Sequence, residues 1–259
     1  MPNIKRTNRS VRRAGAATAA QTAGTTVSIA NLNAMGDQEF SDEIDRIVST
    51  VKNDPDQQPD SDEVQKFFNA IGWTNDVPTL VNDEDELEAA KQRGDVHGKY
   101  LWHTDAPTGL TDDAQRFADQ YQGNGRHFVS GGVMGDGTYW ADDPNDSWNY
   151  SNGGRHRAYM QKGMLNRNAK EINNKQLDNE IKKFKRKYPK KYARIMAMNG
   201  ASRYASSDSV RSVFAALLGY NTITSGYGYY VVLNRSATTV VKGGHHGRRR
   251  GGRPTFQYE

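Results

Sequence analysis

The stretch "GDGTYWADDPNDSWNY", residues 135–150, decides how the middle of this chain folds. It places two glycines, two tryptophans and two tyrosines within sixteen residues. Taken as a whole, it follows neither the helical period nor the alternation of a strand. Large aromatic rings beside glycines and Asx turns usually close a hydrophobic core or form a stacking surface for a flat ligand. The residues alone leave both alternatives open.

The composition limits the class of protein. The chain has 259 residues, of which 35% are apolar, and its mean hydropathy is −0.88. A hydrophobic core therefore cannot extend through the whole length, and no apolar run is long enough for a membrane-spanning helix. The chain contains no cysteine, which excludes disulfides, thiolate catalysis and cysteine zinc sites. We expect a cytoplasmic protein without membrane contact.

The positive charge is concentrated at the two ends of the chain. Residues 1–36 contain five basic side chains and no acidic one, and Arg248, Arg249, Arg250 and Arg253 lie near the other end. Basic extensions of this kind are typical of polyanion contact, here through 1–13 and 248–253. The alternative is that they only keep the protein soluble.

The pattern divides the chain into four parts. Residues 1–36 are predicted to be a disordered basic arm, and 37–95 a helical segment. Residues 96–242 form the main domain, with a basic helical insertion at 170–200. The Gly/Arg-rich tail occupies 243–259.

Apolar periodicity and caps predict the elements. A first helix is predicted with Ser41 as its N-cap, a second ending at Gly72, and a third starting near Asp83. A helix is also predicted within 111–123, and the clearest one begins near residue 207. Short strands are mixed irregularly with these helices, which favours an α+β fold. The predicted strands are "KYLWHT", "RHFVS", "TYWA", "AYMQKGML", "NTIT", "YYVVLN" and "TTVVK".

The basic region at 175–194 has two interpretations. It contains nine lysines and arginines against two acidic residues, with Tyr188 and Tyr192 interleaved. This pattern could bind nucleic acid or an acidic protein, in keeping with the basic ends. It is equally typical of a solvated helix face.

Common catalytic motifs are missing. The sequence has no P-loop, no Gly-x-Ser-x-Gly elbow and no His-Glu-x-x-His. The run "GGVMGDG", residues 131–137, does not fit a dinucleotide fingerprint because its glycine spacing differs and a strand follows it. His245 and His246 lie in the Gly/Arg tail, and we expect no metal site.

Two motifs together resemble a known family. In "LWHT", residues 101–104, a predicted strand ends in a histidine and a threonine. In the opening stretch, a Gly-x-Gly-x-Tyr sequence begins at Gly135, Ser147 follows Tyr139 by eight residues, and Tyr150 follows Ser147 by three. This order and spacing resemble the NAD-binding core of the ADP-ribosyltransferases, in the branch of diphtheria toxin and the poly(ADP-ribose) polymerases. The resemblance covers about residues 78–242, where "VVLNRSA" is similar to a closing strand of phage and bacterial members.

The resemblance implies a fold and a site. The fold would be α+β, with a split β-sheet core, N-terminal helices and disordered basic ends. In the site, Tyr139 and Tyr150 would sandwich nicotinamide, while the Ser147 hydroxyl and the Thr104 backbone would bind its carboxamide. His103 would bind ribose hydroxyls. The implied NAD-binding residues are His103, Thr104, Gly137, Tyr139, Ala141, Ser147 and Tyr150. Without the resemblance, half-buried core aromatics and a satisfied strand histidine would explain the same residues.

One departure affects the catalytic set. The family carries a glutamate at the start of its last core strand, where this chain has Tyr229 (or Tyr230), and no acid lies between Asp208 and Glu259. The implied catalytic residues are therefore His103, Tyr139 and Tyr229. Asp142, Asp136 and Asp208 are alternative carboxylates. Thr104 and Asn221 also depart from the usual glycine and aspartate.

The function implied is transfer of a single ADP-ribose from NAD, the substrate, to a macromolecular acceptor, either protein or nucleic acid. Family members without the glutamate are typically mono-ADP-ribosylating or catalytically silent. The chain would be a phage or bacterial effector of toxin type, located in the host cytoplasm or in the virion. The alternative is a silent member of the same fold that serves as a virion or nucleic-acid-binding protein.

Overall fold

A computed structural model of the chain has an α+β fold built on a mixed β-sheet. The arm at 1–31, most of the helix expected at 111–123 and the strand "RHFVS" lie outside the described residues. The structure describes residues 32, 34–50, 63–73, 76–105, 121–123, 133–150, 158–198, 206–243, 245–250 and 253–257.

The observed helices include most of those predicted from the apolar periodicity. Their bounds are α1 Asp37–Thr50, α2 Glu63–Ala70, α3 Glu84–Gln92, α4 Pro144–Tyr150, α5 Asn174–Lys187, α6 Pro189–Met196 and α7 Ser206–Leu217, with a 3-10 turn at Arg235–Ala237. None of the helices in the described ranges combines the length and the hydropathy that crossing a bilayer requires.

Helix ends follow local chemistry. Asp83 caps α3 by accepting the Glu86 N–H at 2.8 Å, and Gly72 ends α2 with a positive φ of 85°. The prediction for Ser41 is wrong. The first helix begins at Asp37, four residues before Ser41. The reason is that Phe40 is fully buried together with Ile44 and extends the apolar stripe by one turn.

The sheet has the strand order β1-β8-β4-β2-β3-β7-β6-β5, with β9 beside β4 and β10 beside β9. The strands are β1 Thr79–Val81, β2 Val96–Asp105, β3 Thr138–Ala141, β4 Ala158–Asn166, β5 Glu171–Asn173, β6 Thr222–Thr224, β7 Tyr229–Val232, β8 Thr238–Val241, β9 His245–Arg250 and β10 Arg253–Gln257.

Two halves of this sheet meet at a narrow seam between β2 and β3. The register there pairs one position, Trp102 with Ala141, whereas β3 and β7 pair along all four residues of each strand. A sheet in two halves is compatible with the predicted split core. The α+β class is confirmed, and the finer assignment to an ADP-ribosyltransferase fold stays a prediction.

The two faces of β3 contribute to different cores. The larger core packs α1, α2, α5, α6 and α7 against Ile172, Ile223 and Val231, and Tyr139 lies against it. The smaller core surrounds Trp140 and includes Leu101, Tyr121, Leu165, Val232 and Val240. Tyr139 and Trp140 therefore serve different cores, as the alternation of side chains along a strand requires.

The basic insertion at 170–200 begins with a strand that the sequence analysis missed. Strand β5, which pairs with β6, ends at Asn173, and the Asn173 side chain then caps α5 by accepting the Lys175 N–H at 2.9 Å. Pro189 begins α6, where its missing N–H leaves no helical bond unmade.

The Gly/Arg tail also differs from its prediction as a disordered end. Strands β9 and β10 form an antiparallel hairpin in which Arg250 pairs with Arg253. This hairpin adds to the sheet because β8 covers β4 only at 163–165, and β9 pairs with the remaining edge at 158–160.

Candidate functional site

The site residues lie where β2, β3 and α4 meet at the seam. After strand β3, Asp143 turns the chain into α4, and its carboxylate accepts the Asn145 N–H at 2.7 Å. Pro144 occupies the first helical position. This cap and the proline are the local signals that place Ser147 and Trp148 against β2, and the sequence analysis did not use them.

Two predicted residues meet directly. The Thr104 and Ser147 hydroxyls are 2.8 Å apart, and both side chains are buried, with 7% and 6% exposure. Trp148 holds α4 in place by packing against Trp102 and Met160 in a small cluster of its own. The contact joins two predicted site residues that are 43 positions apart in the sequence.

His103 precedes Thr104 on β2, so its side chain leaves the strand on the opposite face, toward Trp140. Its Nδ1 is 2.6 Å from the Tyr139 carbonyl oxygen, which can only accept, so Nδ1 carries the proton of the neutral ring. The ring centroid lies 5.5 Å from that of Trp140. Burial lowers the pKa of His103 to about 4, although the hydrogen bond to Tyr139 acts in the opposite direction. His103 is thus a neutral imidazole at pH 7, held through the main chain of Tyr139.

The His103 pKa predicts a pH dependence of stability. An unfolded histidine takes up a proton below its ordinary pKa of 6.5, whereas folded His103 stays neutral down to about 4. The contribution of His103 to the free energy of unfolding is fully present above pH 6.5. It falls by about 1.4 kcal/mol per pH unit as the pH decreases toward 4. Urea unfolding at several pH values should show this decline, reaching about 3 kcal/mol, in the unchanged protein.

The His103→Gln variant is the control for this decline. Its other titrating groups are the same, so the difference between the two stability curves isolates His103. Two parallel curves between pH 6.5 and 4 would contradict the assignment of a buried neutral ring.

The Tyr139 ring is fixed by its own loop. The phenol donates to the Gly135 carbonyl at 2.7 Å and accepts the Met134 N–H at 3.1 Å. The loop requires small residues: a Cβ on Gly137 would lie 2.4 Å from Val231 Cγ1, and Gly135 has a φ of 118°. Tyr139 is therefore oriented before any ligand arrives.

Tyr229 lies at the predicted position at the start of β7, in register with Ala141. A carboxylate is close to it: the Asp142 N–H donates to the Gly228 carbonyl at 2.8 Å, and a Cβ on Gly228 would lie 2.3 Å from Asp142 Oδ1. Lys99 holds this carboxylate through a 2.6 Å ion pair. Nothing in the sequence indicated the partnership with Lys99, which spans 43 positions.

The structure does not describe the side chain of every predicted site residue. The main chain of Tyr150 ends α4, but its side chain lies outside the described residues. The two-tyrosine slot for nicotinamide therefore stays a prediction. Of the alternative carboxylates, Asp136 is fully buried in the loop before β3, and Asp208 lies in the first turn of α7.

Gln161 is a site residue that the sequence analysis missed. It lies opposite His103 in the register of β4 with β2, and it is 1% exposed. Within the described part of the chain, neither its amide nitrogen nor its amide oxygen has a hydrogen-bond partner. A buried amide in this state calls for a ligand or an ordered water. Gln161 had no distinct signal in the sequence, because Lys162 follows it in the same strand.

No protein-family model, no curated protein and no solved structure matches the chain. Chemically, the seam offers a hydroxyl pair, a neutral imidazole and a buried amide, with a carboxylate and a lysine at the start of β7. The hydroxyl pair can hydrogen-bond an amide or a sugar hydroxyl on one face of β2, and the imidazole and the amide can do so on the other face. Within the described ranges, no cluster of three or more histidine and carboxylate side chains could hold a metal ion.

Proposed function

We propose that the chain is a mono-ADP-ribosyltransferase that moves ADP-ribose from NAD to a macromolecular acceptor. The observation that carries the proposal is the 2.8 Å contact between the Thr104 and Ser147 hydroxyls, at the position on β2 that follows His103. In the family that the sequence resembles, these three positions bind the nicotinamide carboxamide and its ribose. The resemblance is thus supported by a contact between Thr104 and Ser147, which lie far apart in the sequence.

The residues at the seam fit the substrate's polar groups. Ser147 would donate to the carboxamide oxygen, exchanging its bond to Thr104 for one to the ligand. Tyr139, fixed by the Gly135 carbonyl, would stack on the nicotinamide ring, which adds about 0.5–1.5 kcal/mol beyond the area buried. His103 would bind ribose hydroxyls, as the resemblance implies; its ring shares a face of the sheet with Gln161, opposite to Thr104.

The reaction breaks the bond between the anomeric carbon of the ribose and the nicotinamide nitrogen, and the acceptor's nucleophilic atom forms the new bond to that carbon. Positive charge develops on the ribose in the transition state, so a nearby carboxylate lowers the barrier. Tyr229 cannot provide that charge. Asp142, held by Lys99 at the start of β7, is the carboxylate that would take this role. The missing glutamate is the reason for proposing single transfer rather than chain elongation.

A second candidate function is a silent member of the same fold that binds nucleic acid. Two features favour it. Tyr229 stands in place of the glutamate, and the Ser147 hydroxyl is already hydrogen-bonded to the Thr104 hydroxyl. In this case the seam would be a structural contact, and NAD would be neither bound nor consumed.

The decisive experiment incubates the purified chain with NAD labelled in its adenylate phosphate and a bacterial lysate as acceptor source. The proposal expects label on a macromolecule together with released nicotinamide. Ser147→Ala should reduce both about tenfold, the effect of one lost hydrogen bond of about 1.4 kcal/mol. Asn149→Ala, on the exposed side of the same helix, is the matched control and should change neither.

The outcomes separate the candidates. Nicotinamide release without labelled acceptor would indicate hydrolysis of NAD and would contradict the transferase. No release, together with no heat of NAD binding in calorimetry, would contradict the enzyme altogether and favour the silent member.

A further inference from the structure

One surface of the molecule lies apart from the seam and has no role in the proposed reaction. On α5 and α6, Leu177 and Phe184 face the larger core, and the remaining surface is basic. The exposed cations of this surface, called here the basic face, are Lys175, Lys182, Lys183, Lys185, Arg186, Lys187 and Lys190.

The acidic residues near the basic face are already paired. Asp178 accepts from Arg211 at 2.5 Å, and Glu180 accepts from Lys183 at 2.7 Å. Lys182 and Arg186 have no ion pair with any described acid. They are four residues apart on one side of α5, about 6 Å along its axis, and they line a groove of about 550 Å³ with Asn179, Lys183 and Lys185. The groove therefore has an uncompensated positive charge.

The two tyrosines of this region are engaged in contacts within the protein. Tyr192 is partly buried and stacks on Phe214 at 5.7 Å, and Lys185 lies 4.9 Å above its ring. Tyr188 packs against the larger core, and Lys187 and Lys191 lie 5.0 and 4.5 Å from its ring centroid. The basic face thus offers charge without aromatic or base-reading contacts.

The basic face is also a poor surface for a protein partner. Stable protein interfaces need an apolar centre within a polar rim. The exposed large hydrophobic residues of the described chain are Val77, Leu80, Val133 and Tyr227, none of which lies on α5 or α6.

We propose that the basic face binds the phosphate backbone of nucleic acid without sequence preference. Lys182 and Arg186 would each contact a phosphate, and the neighbouring lysines would add long-range attraction. The inference does not depend on the proposed transferase, since no residue of the basic face belongs to the seam. The same surface could hold a nucleic-acid acceptor close to the enzyme.

The test measures binding of the full chain to a short fluorescent DNA duplex of arbitrary sequence, by anisotropy, between about 50 and 200 mM salt. The logarithm of the binding constant should fall linearly with the logarithm of the salt concentration. In a Lys182→Ala/Arg186→Ala variant the slope should be smaller in magnitude by about 1.8, because two phosphate contacts are lost. The affinity should fall as well.

The matched control is Arg167→Ala/Lys170→Ala, which removes the same charge from two exposed positions between β4 and β5. Its slope should equal that of the unchanged protein. An equal decrease of slope and affinity in both variants would mean that only net charge matters and would overturn the proposal. Binding to polyglutamate as tight as to DNA would overturn it in favour of an acidic protein. Unchanged melting temperatures in both variants would exclude unfolding as the cause.

Discussion

Truncation of Trp148 to alanine is expected to lower the free energy of unfolding by about 3–5 kcal/mol. The side chain is 1% exposed and packs against Trp102 and Met160, and through it α4 is attached to the seam. The helix is seven residues long, too short to be stable without this contact. Urea unfolding at pH 7 measures the loss directly.

Two further variants complete this experiment. Trp148→Phe keeps part of the packing and should lose clearly less, and Asn149→Ala should stay within about 0.5 kcal/mol of the unchanged protein. A loss below about 1 kcal/mol for Trp148→Ala would mean that α4 is not held by this side chain. If α4 detaches, NAD binding should disappear together with the Thr104–Ser147 contact.

Introducing a carboxylate at the start of β7, with Tyr229→Glu, is expected to raise the rate of NAD cleavage by about tenfold to a hundredfold. Tyr229 is paired with Ala141, and its strand begins next to the Lys99–Asp142 ion pair. A glutamate here would stand where the family that the sequence resembles carries its own. Release of nicotinamide at saturating NAD gives the rate, with ADP-ribose chain length as a second readout.

Tyr229→Gln is the control, because it has the same size as the glutamate variant but no charge. If both variants release nicotinamide at the same rate, charge at this position does not matter, and the alignment of β7 with the family's last core strand is wrong. Asp142→Asn in the unchanged chain should reduce the rate, since it removes the proposed carboxylate while keeping its shape.

Elements with a clear period were predictable from the sequence. The buried stripe of α1 and the Asp83 cap depend on neighbours a few residues apart, and the aromatic and β-branched residues of β3 and β7 favour strands. Helix α4 was not predicted, because a strand, a turn and a helix follow one another within residues 138–150 and no single period covers them. Strands β9 and β10 were missed because their composition is that of a disordered tail, and pairing with β4 overrides it.

The contacts within the site could not be predicted either, because they join residues far apart in the sequence. The family resemblance assigned Thr104 and Ser147 to one ligand group, but the direct contact between their hydroxyls was not predicted. The Lys99–Asp142 ion pair and the position of Gln161 opposite His103 depend on strand register, which local sequence does not state. The resemblance therefore indicated which residues to compare, and only the fold identified the hydroxyl contact, the carboxylate's partner and the buried amide.

The lengths of the outer strands have a consequence for the behaviour of the protein at high concentration. Strands β1 and β5, which end the main path of the sheet, are three residues long, and β10, which pairs only with β9 among the described strands, carries Pro254. Short strands and a proline give a second molecule few consecutive donors and acceptors to extend. Among the described strands, the edges of the sheet are thus poor templates for edge-to-edge pairing of two molecules.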